Sequence, residues 1–165
     1  MARARLDELL RLLAKDGVEV VVVGMLAGVL QGAPVTTGDL DVVHRRTPDN
    51  VRRLARLLER IGAVYRHDPR RLQPNESHLG GAGHQLLETS LGDLDCLGEI
   101  DGGRTYEDLL DASIELELGD GLRIRALGLR ALIDVKRRAG RAKDLAALPL
   151  LESTLEEAER DSSRR

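Results

Sequence analysis

The chain has 165 residues, a formal net charge of −3 from 25 Lys+Arg against 28 Asp+Glu, and only two aromatic side chains, Tyr65 and Tyr106. That excludes a reader of single-stranded nucleic acid sequence, which needs stacking platforms in a basic groove, and the lone Cys96 excludes an intramolecular disulfide or a Cys-based zinc finger. With 31 Leu, 12 Val and 5 Ile, one aliphatic core is expected to bury roughly 68–70% of the unfolded surface. The N-terminal residues lack the apolar region of a secretory signal, and the longest apolar run, Val20 to Leu30, is too short for a bilayer. A cytoplasmic protein without a membrane partner is the expectation.

Leu6, Leu9, Leu10 and Leu13 recur at helical spacing, and Gly17 ends that helix. Val18 to Val23 reads as a strand buried on both faces, followed by the Gly24-Met25 turn and a short helix of small residues to Gly32, with Pro34 as a breaker. Asp39 to His44 is the second strand. Thr47 and Pro48 open a helix carried by Val51, Leu54, Leu57, Leu58 and Ile61, with Gly62 at its end. A short strand, 63–66, leads into residues 67–83, where two prolines and three glycines predict an exposed loop.

Gln85 to Thr89 and Asp93 to Leu97 form a hairpin around Leu91-Gly92, Thr105 to Leu110 a short helix, and Ile114 to Leu118 with Leu122 to Ala126 a second hairpin around Gly119-Asp120-Gly121. A helix from Leu129 to Ala139 and another from Ala142, interrupted at Pro149, finish the fold, and the polar tail from Glu156 is expected to fray. Helices between early strands permit crossovers, whereas the later hairpins require antiparallel pairing. The fold class is therefore α+β with a mixed sheet.

The segment Thr36-Thr37-Gly38-Asp39-Leu40-Asp41-Val42-Val43 carries the chemistry. Residues i and i+2 of a strand share a face, so Asp39 and Asp41 project together, about 7 Å apart at Cα. Two such carboxylates repel unless a hard cation lies between them, and Mg²⁺ takes one or two carboxylates together with substrate phosphates. Upstream, the strand ending in Gly24-Met25 opens a helix whose backbone N–H groups face an anion. A strand, glycine turn, short helix and D-x-D strand in succession is far more specific than either motif alone. The basic run Lys136, Arg137, Arg138, Arg141 and Lys143 reads by itself as a solvated helix end, and His44 and His84 as polar fillers.

This succession resembles the nucleotidyltransferases of the DNA-polymerase-β superfamily, and within it the small prokaryotic AbiEii-like toxin-type enzymes. Asp93-Leu94-Asp95-Cys96-Leu97 resembles the strand that supplies the family's third carboxylate, with Asp95 the better match and Asp93 the reserve. Leu132 to Lys136 and Arg141 to Leu145 resemble its C-terminal Lys and Arg-x-Lys-Asp helices. The resemblance implies a nucleotidyltransferase-like mixed β-sheet flanked by helices, with a core over residues 1–126, C-terminal helices of the same domain over 127–158 and a disordered tail over 159–165.

It further implies an Mg²⁺-dependent enzyme, with Mn²⁺ as the alternative, in which Asp39, Asp41 and Asp95 hold two ions. Asp39, Asp41, Asp95 and Lys136 are then catalytic, and Gly24, Met25, Thr37, Arg141, Lys143 and Asp144 bind the nucleotide. The implied partners are an NTP, an acceptor hydroxyl on an RNA end such as tRNA or on a protein, and an antitoxin. Met25 departs from the family, which has Gly or Ser there. The rival reading is a catalytically degenerate binding module on the same fold, against which the intact Asp39, Asp41, Asp95 and Lys136 speak.

Overall fold

The computed structural model describes residues 5–165. Its first helix, α1 (Leu6–Lys15), buries Leu6, Leu9, Leu10 and Leu13 as one stripe, and Gly17 follows with φ +68, the left-handed turn that frees the chain to enter the sheet. The next strand, β1 (Val20–Val23), is buried along its whole length. Then come α2 (Gly24–Leu30), β2 (Asp39–His44), α3 (Pro48–Arg60), β3 (Val64–Tyr65), α4 (Glu76–Gly80), β4 (His84–Thr89), β5 (Gly92–Leu97), α5 (Tyr106–Leu109), β6 (Ser113–Gly119), β7 (Leu122–Leu127), α6 (Leu129–Ala139) and α7 (Ala142–Ser163).

The strands form a single seven-stranded mixed sheet in the order β3-β4-β5-β2-β1-β7-β6, flanked by helices as an α+β fold. Although a helix joins β1 to β2, these two strands lie side by side and antiparallel. The parallel pairs are instead β2 with β5 and β1 with β7, joined by much longer connections. Leu40, Leu94 and Leu87 stand opposite one another across β2, β5 and β4, fully buried, and belong to the same hydrophobic cluster as the inner stripes of α1 and α3.

A close approach at Gly28 seats α2 beneath the C-terminal helices. A Cβ there would stand 2.7 Å from Leu151 Cδ2 and 3.5 Å from Leu132 Cδ2, so a larger residue would require the buried Leu151 side chain to move. No helix among the described residues is long and apolar enough to cross a membrane.

Three local expectations are corrected. The 67–83 loop contains α4, whose Asn75 side chain accepts from the His78 N–H and whose Leu79 is fully buried, so one apolar anchor orders a segment rich in Gly and Pro. α7 runs unbroken through Pro149. The missing proline N–H leaves the Leu145 carbonyl without its usual partner, but Leu145 is 48% exposed and water can satisfy that oxygen. The segment from Glu156, expected to fray, continues α7 as helix to Ser163, where the Ser162 and Ser163 hydroxyls donate to the carbonyls of Ala158 and Glu159 and Arg130 pairs with Glu159.

Candidate active site

Sheet register assembles the site. Asp41 of β2 stands opposite Val23 of β1 on one side and Asp95 of β5 on the other, and Asp39 stands opposite Asp93. Directly opposed residues share a sheet face, so Asp39, Asp41, Asp93 and Asp95 all project to the same side. Carboxylate oxygens of Asp39, Asp41 and Asp95 lie within 4.8 Å of one another, which selects Asp95 over Asp93 as the third member. Thr37 donates its hydroxyl to Asp39 Oδ1 at 2.9 Å and so holds the outermost carboxylate.

Gly24 is required here for a reason the turn alone does not reveal. Its φ is +67, and a Cβ would sit 2.3 Å from Asp41 Oδ2. The first residue after β1 must therefore be a glycine both for its backbone conformation and because the Asp41 carboxylate fills the space where a side chain would go. Met25 is half-buried and packs on the hydrophobic cluster.

The carboxylates work against one another. Burial, then the charges of Asp39 and Asp95, push the Asp41 carboxyl up to about 7, against the opposing pull of the Lys136 ammonium. Burial also raises Asp95, with Arg66 opposing the shift. A half-buried group of three acids whose central member holds its proton near neutrality is a poor device for stability. Its all-oxygen donor set, compact enough for one ion to touch all three, fits a hard divalent cation.

The expected C-terminal residues divide. Asp144, only 2% exposed, receives Lys136 Nζ at 3.3 Å and Arg141 Nε at 2.6 Å. Burial alone would raise its carboxyl, but the hydrogen bonds from Arg141 and Lys136 outweigh that and hold it below the usual range. Asp144 thus fixes Lys136 at the end of α6, where its charge reaches Asp41. Lys143 is exposed on the first turn of α7 and makes no ion pair among the described residues.

Arg66 had no sequence signal. It pairs with Asp95 and lies 3.4 Å from Asp93, joined to them only by the pairing of β3, β4 and β5. His44, expected as a filler, is buried with Nε2 2.6 Å from the Leu79 carbonyl oxygen and ties α4 to the end of β2. Cys96 is fully buried, and burial pushes its thiol well above the ordinary value, so it is an inert core residue. A surface cavity of ≈ 920 Å³ between β6, α6 and α7 is lined by residues such as Ile114, Leu129, Arg138 and Leu155 and by none of the three aspartates.

No protein-family model and no curated protein matches the chain. Among solved structures, it is similar to a Thermotoga maritima protein provisionally named a nucleotidyltransferase, whose crystal structure was determined at 1.87 Å. The TM-score is 0.55 and the identity 19%, covering 92% of this chain and 91% of that one. The likeness spans both chains almost end to end, and at this identity it speaks for the fold: a nucleotidyltransferase-like mixed sheet with its C-terminal helices.

Proposed function

We propose that this chain is an Mg²⁺-dependent nucleotidyltransferase of the AbiEii-like type that moves a nucleoside monophosphate from an NTP to a hydroxyl on an RNA end, such as that of tRNA, or on a protein. The observation that carries the reading is the convergence of Asp39, Asp41 and Asp95 on one sheet face, directly against the Gly24 turn. On this reading the chain serves as a toxin countered by an antitoxin. Residues 1–126 and 127–158 act together as one catalytic domain, since Lys136 and Asp144 belong to the same site as the carboxylates.

Asp39, Asp41 and Asp95 would hold the metal, which when bound lowers the pKa of an acceptor hydroxyl and stabilises charge on the attacking and leaving oxygens. The acceptor oxygen forms a bond to the α-phosphorus, the bond to the β-phosphate oxygen breaks, and pyrophosphate leaves. Asp95 takes the hydroxyl proton. Lys136, pre-oriented by Asp144, neutralises triphosphate charge, and the exposed Arg141 and Lys143 reach its outer oxygens. The backbone N–H groups at Gly24 and Met25 donate to the phosphates, and Thr37 keeps Asp39 aimed at the site.

Leu86 on β4 stands opposite Asp95 and is 45% exposed. Leu86 thus offers an acceptor an exposed apolar surface beside the carboxylates, next to the Arg66 side chain that crosses β4. Incubation with each labelled NTP, Mg²⁺ and total cell RNA or protein tests the proposal. Label should pass from one NTP into one fraction, and Asp41→Ala should stop it; absence of transfer with every NTP and both fractions overturns it.

A further inference from the structure

Arg66 follows β3 and donates its backbone N–H to the Leu86 carbonyl at 2.9 Å. Val64, two residues earlier, stands opposite Glu88, which stands opposite Asp93. By strand alternation Arg66 therefore shares the face of the carboxylates. Its side chain, 20% exposed, crosses β4. Nη2 donates to Asp95 Oδ1 and, at 3.2 Å, to the Leu87 carbonyl. Nε lies 3.4 Å from Asp93 Oδ2, buried and without a hydrogen-bond partner. The guanidinium is thus shared unequally between two carboxylates, and only the one it holds fully belongs to the group of three. Lys136 and Arg141, whose charges also act on Asp41, are both engaged by Asp144.

We infer that Arg66 is a positioning residue that acts as the counter-ion of the metal-free site, holding Asp95 in place until a divalent cation takes over that carboxylate, and that metal loading moves the guanidinium from Asp95 to Asp93. This rests on the reading of Asp39, Asp41 and Asp95 as a metal site. A carboxylate oxygen already engaged by a guanidinium is a weaker ligand, and a positive charge in direct contact with it opposes a second cation. Asp93 supplies the resting place, because the unsatisfied Nε already lies beside it. Arg66 thereby sets how readily the free enzyme takes up metal.

The test is Mn²⁺ titration of the full chain without nucleotide, reading free Mn²⁺ by electron paramagnetic resonance. A contacting charge shifts a carboxylate's affinity for a proton by about one to three decades, so Arg66→Gln should bind Mn²⁺ at least about tenfold more tightly than wild type. Its metal-free melting temperature should also fall. Arg66→Lys, which keeps the charge, should return both values toward wild type. Arg71→Gln, which removes an exposed arginine paired with Glu88, should change neither.

Equal or weaker Mn²⁺ binding by Arg66→Gln overturns the inference while leaving the metal site standing, and no Mn²⁺ binding by wild type or variant overturns both. Should Arg66→Gln fail to fold, Asp93→Asn decides. Without its alternative partner the guanidinium stays on Asp95, and Mn²⁺ should bind several-fold more weakly, whereas Glu88→Gln in the same row leaves affinity unchanged. Equal effects of those two substitutions overturn the inference.

Discussion

Replacing Asp41 by asparagine should make the metal-free protein more stable above neutral pH. The Asp41 carboxyl has an ordinary value of 3.8 and is pushed up to about 7 in the folded chain by burial and by Asp39 and Asp95. Folding therefore favours its neutral form. That contribution is present in full below about pH 4 and is lost as pH climbs through 7, because between those values the folded state binds more protons than the unfolded one. A gap of roughly three decades corresponds to at most about 4 kcal/mol of penalty once the group is ionised. Asparagine keeps the shape and a donor toward Asp95 without the charge, but it does not reproduce a carboxyl's hydrogen bonding, so a gain of about 2 kcal/mol is the working figure.

For a chain of this length, 2 kcal/mol raises Tm by roughly 4–8 °C. Thermal unfolding in metal-free buffer at pH 8 and pH 5 reads it: Asp41→Asn should melt several degrees higher at pH 8, and the difference should close by pH 5, where wild-type Asp41 is already protonated. Added Mg²⁺ with NTP should raise Tm of the wild type and leave the variant unmoved. A variant that melts no higher than wild type at pH 8, or that keeps its whole advantage at pH 5, would refute the electrostatic account of the three carboxylates.

Gly24→Ala forces a Cβ against Asp41 Oδ2 and strains a left-handed backbone. It should cost about 1–3 kcal/mol and abolish the Mg²⁺-dependent Tm gain even at temperatures where the variant is folded by circular dichroism. Asp144→Ala strands the Lys136 ammonium, which is only 14% exposed. In denaturant titration at pH 7 it should cost about 3 kcal/mol, and the cost should shrink as pH falls below the ordinary carboxylate range, where wild-type Asp144 loses its own charge. Lys143→Ala, exposed and without an ion pair among the described residues, should change stability by no more than about 0.5 kcal/mol while weakening NTP binding measured by calorimetry. An unchanged NTP affinity removes Lys143 from the nucleotide site.

Much of this fold was legible from residue order. The four leucines of α1, the valine run of β1 and the Thr47-Pro48 start of α3 each carry a local period or stop signal that survives folding, because the apolar stripe is what the core buries. The D-x-D strand was legible for the same reason: alternation alone sends Asp39 and Asp41 to one side. α4 and the unbroken α7 were not. In each case a tertiary circumstance, the buried Leu79 or the exposed position of Leu145, overrides a correct statement about Gly and Pro propensity.

The amino-acid order by itself determined the chemistry on offer: three acids, a glycine turn and a basic C-terminal helix end, each on a defined element. Only the tertiary structure decided that they meet. Antiparallel β1 and β2 bring Gly24 against Asp41, and parallel β2 and β5 bring Asp95 beside Asp41 from more than fifty residues away in the chain, contacts that no local spacing encodes. The pairing of β3 with β4 and of β4 with β5 brings in Arg66 from just beyond an inconspicuous two-residue strand. Strand register is a property of the whole sheet, set by which faces can be buried together, so the charge that balances the acids becomes visible only once the sheet is formed.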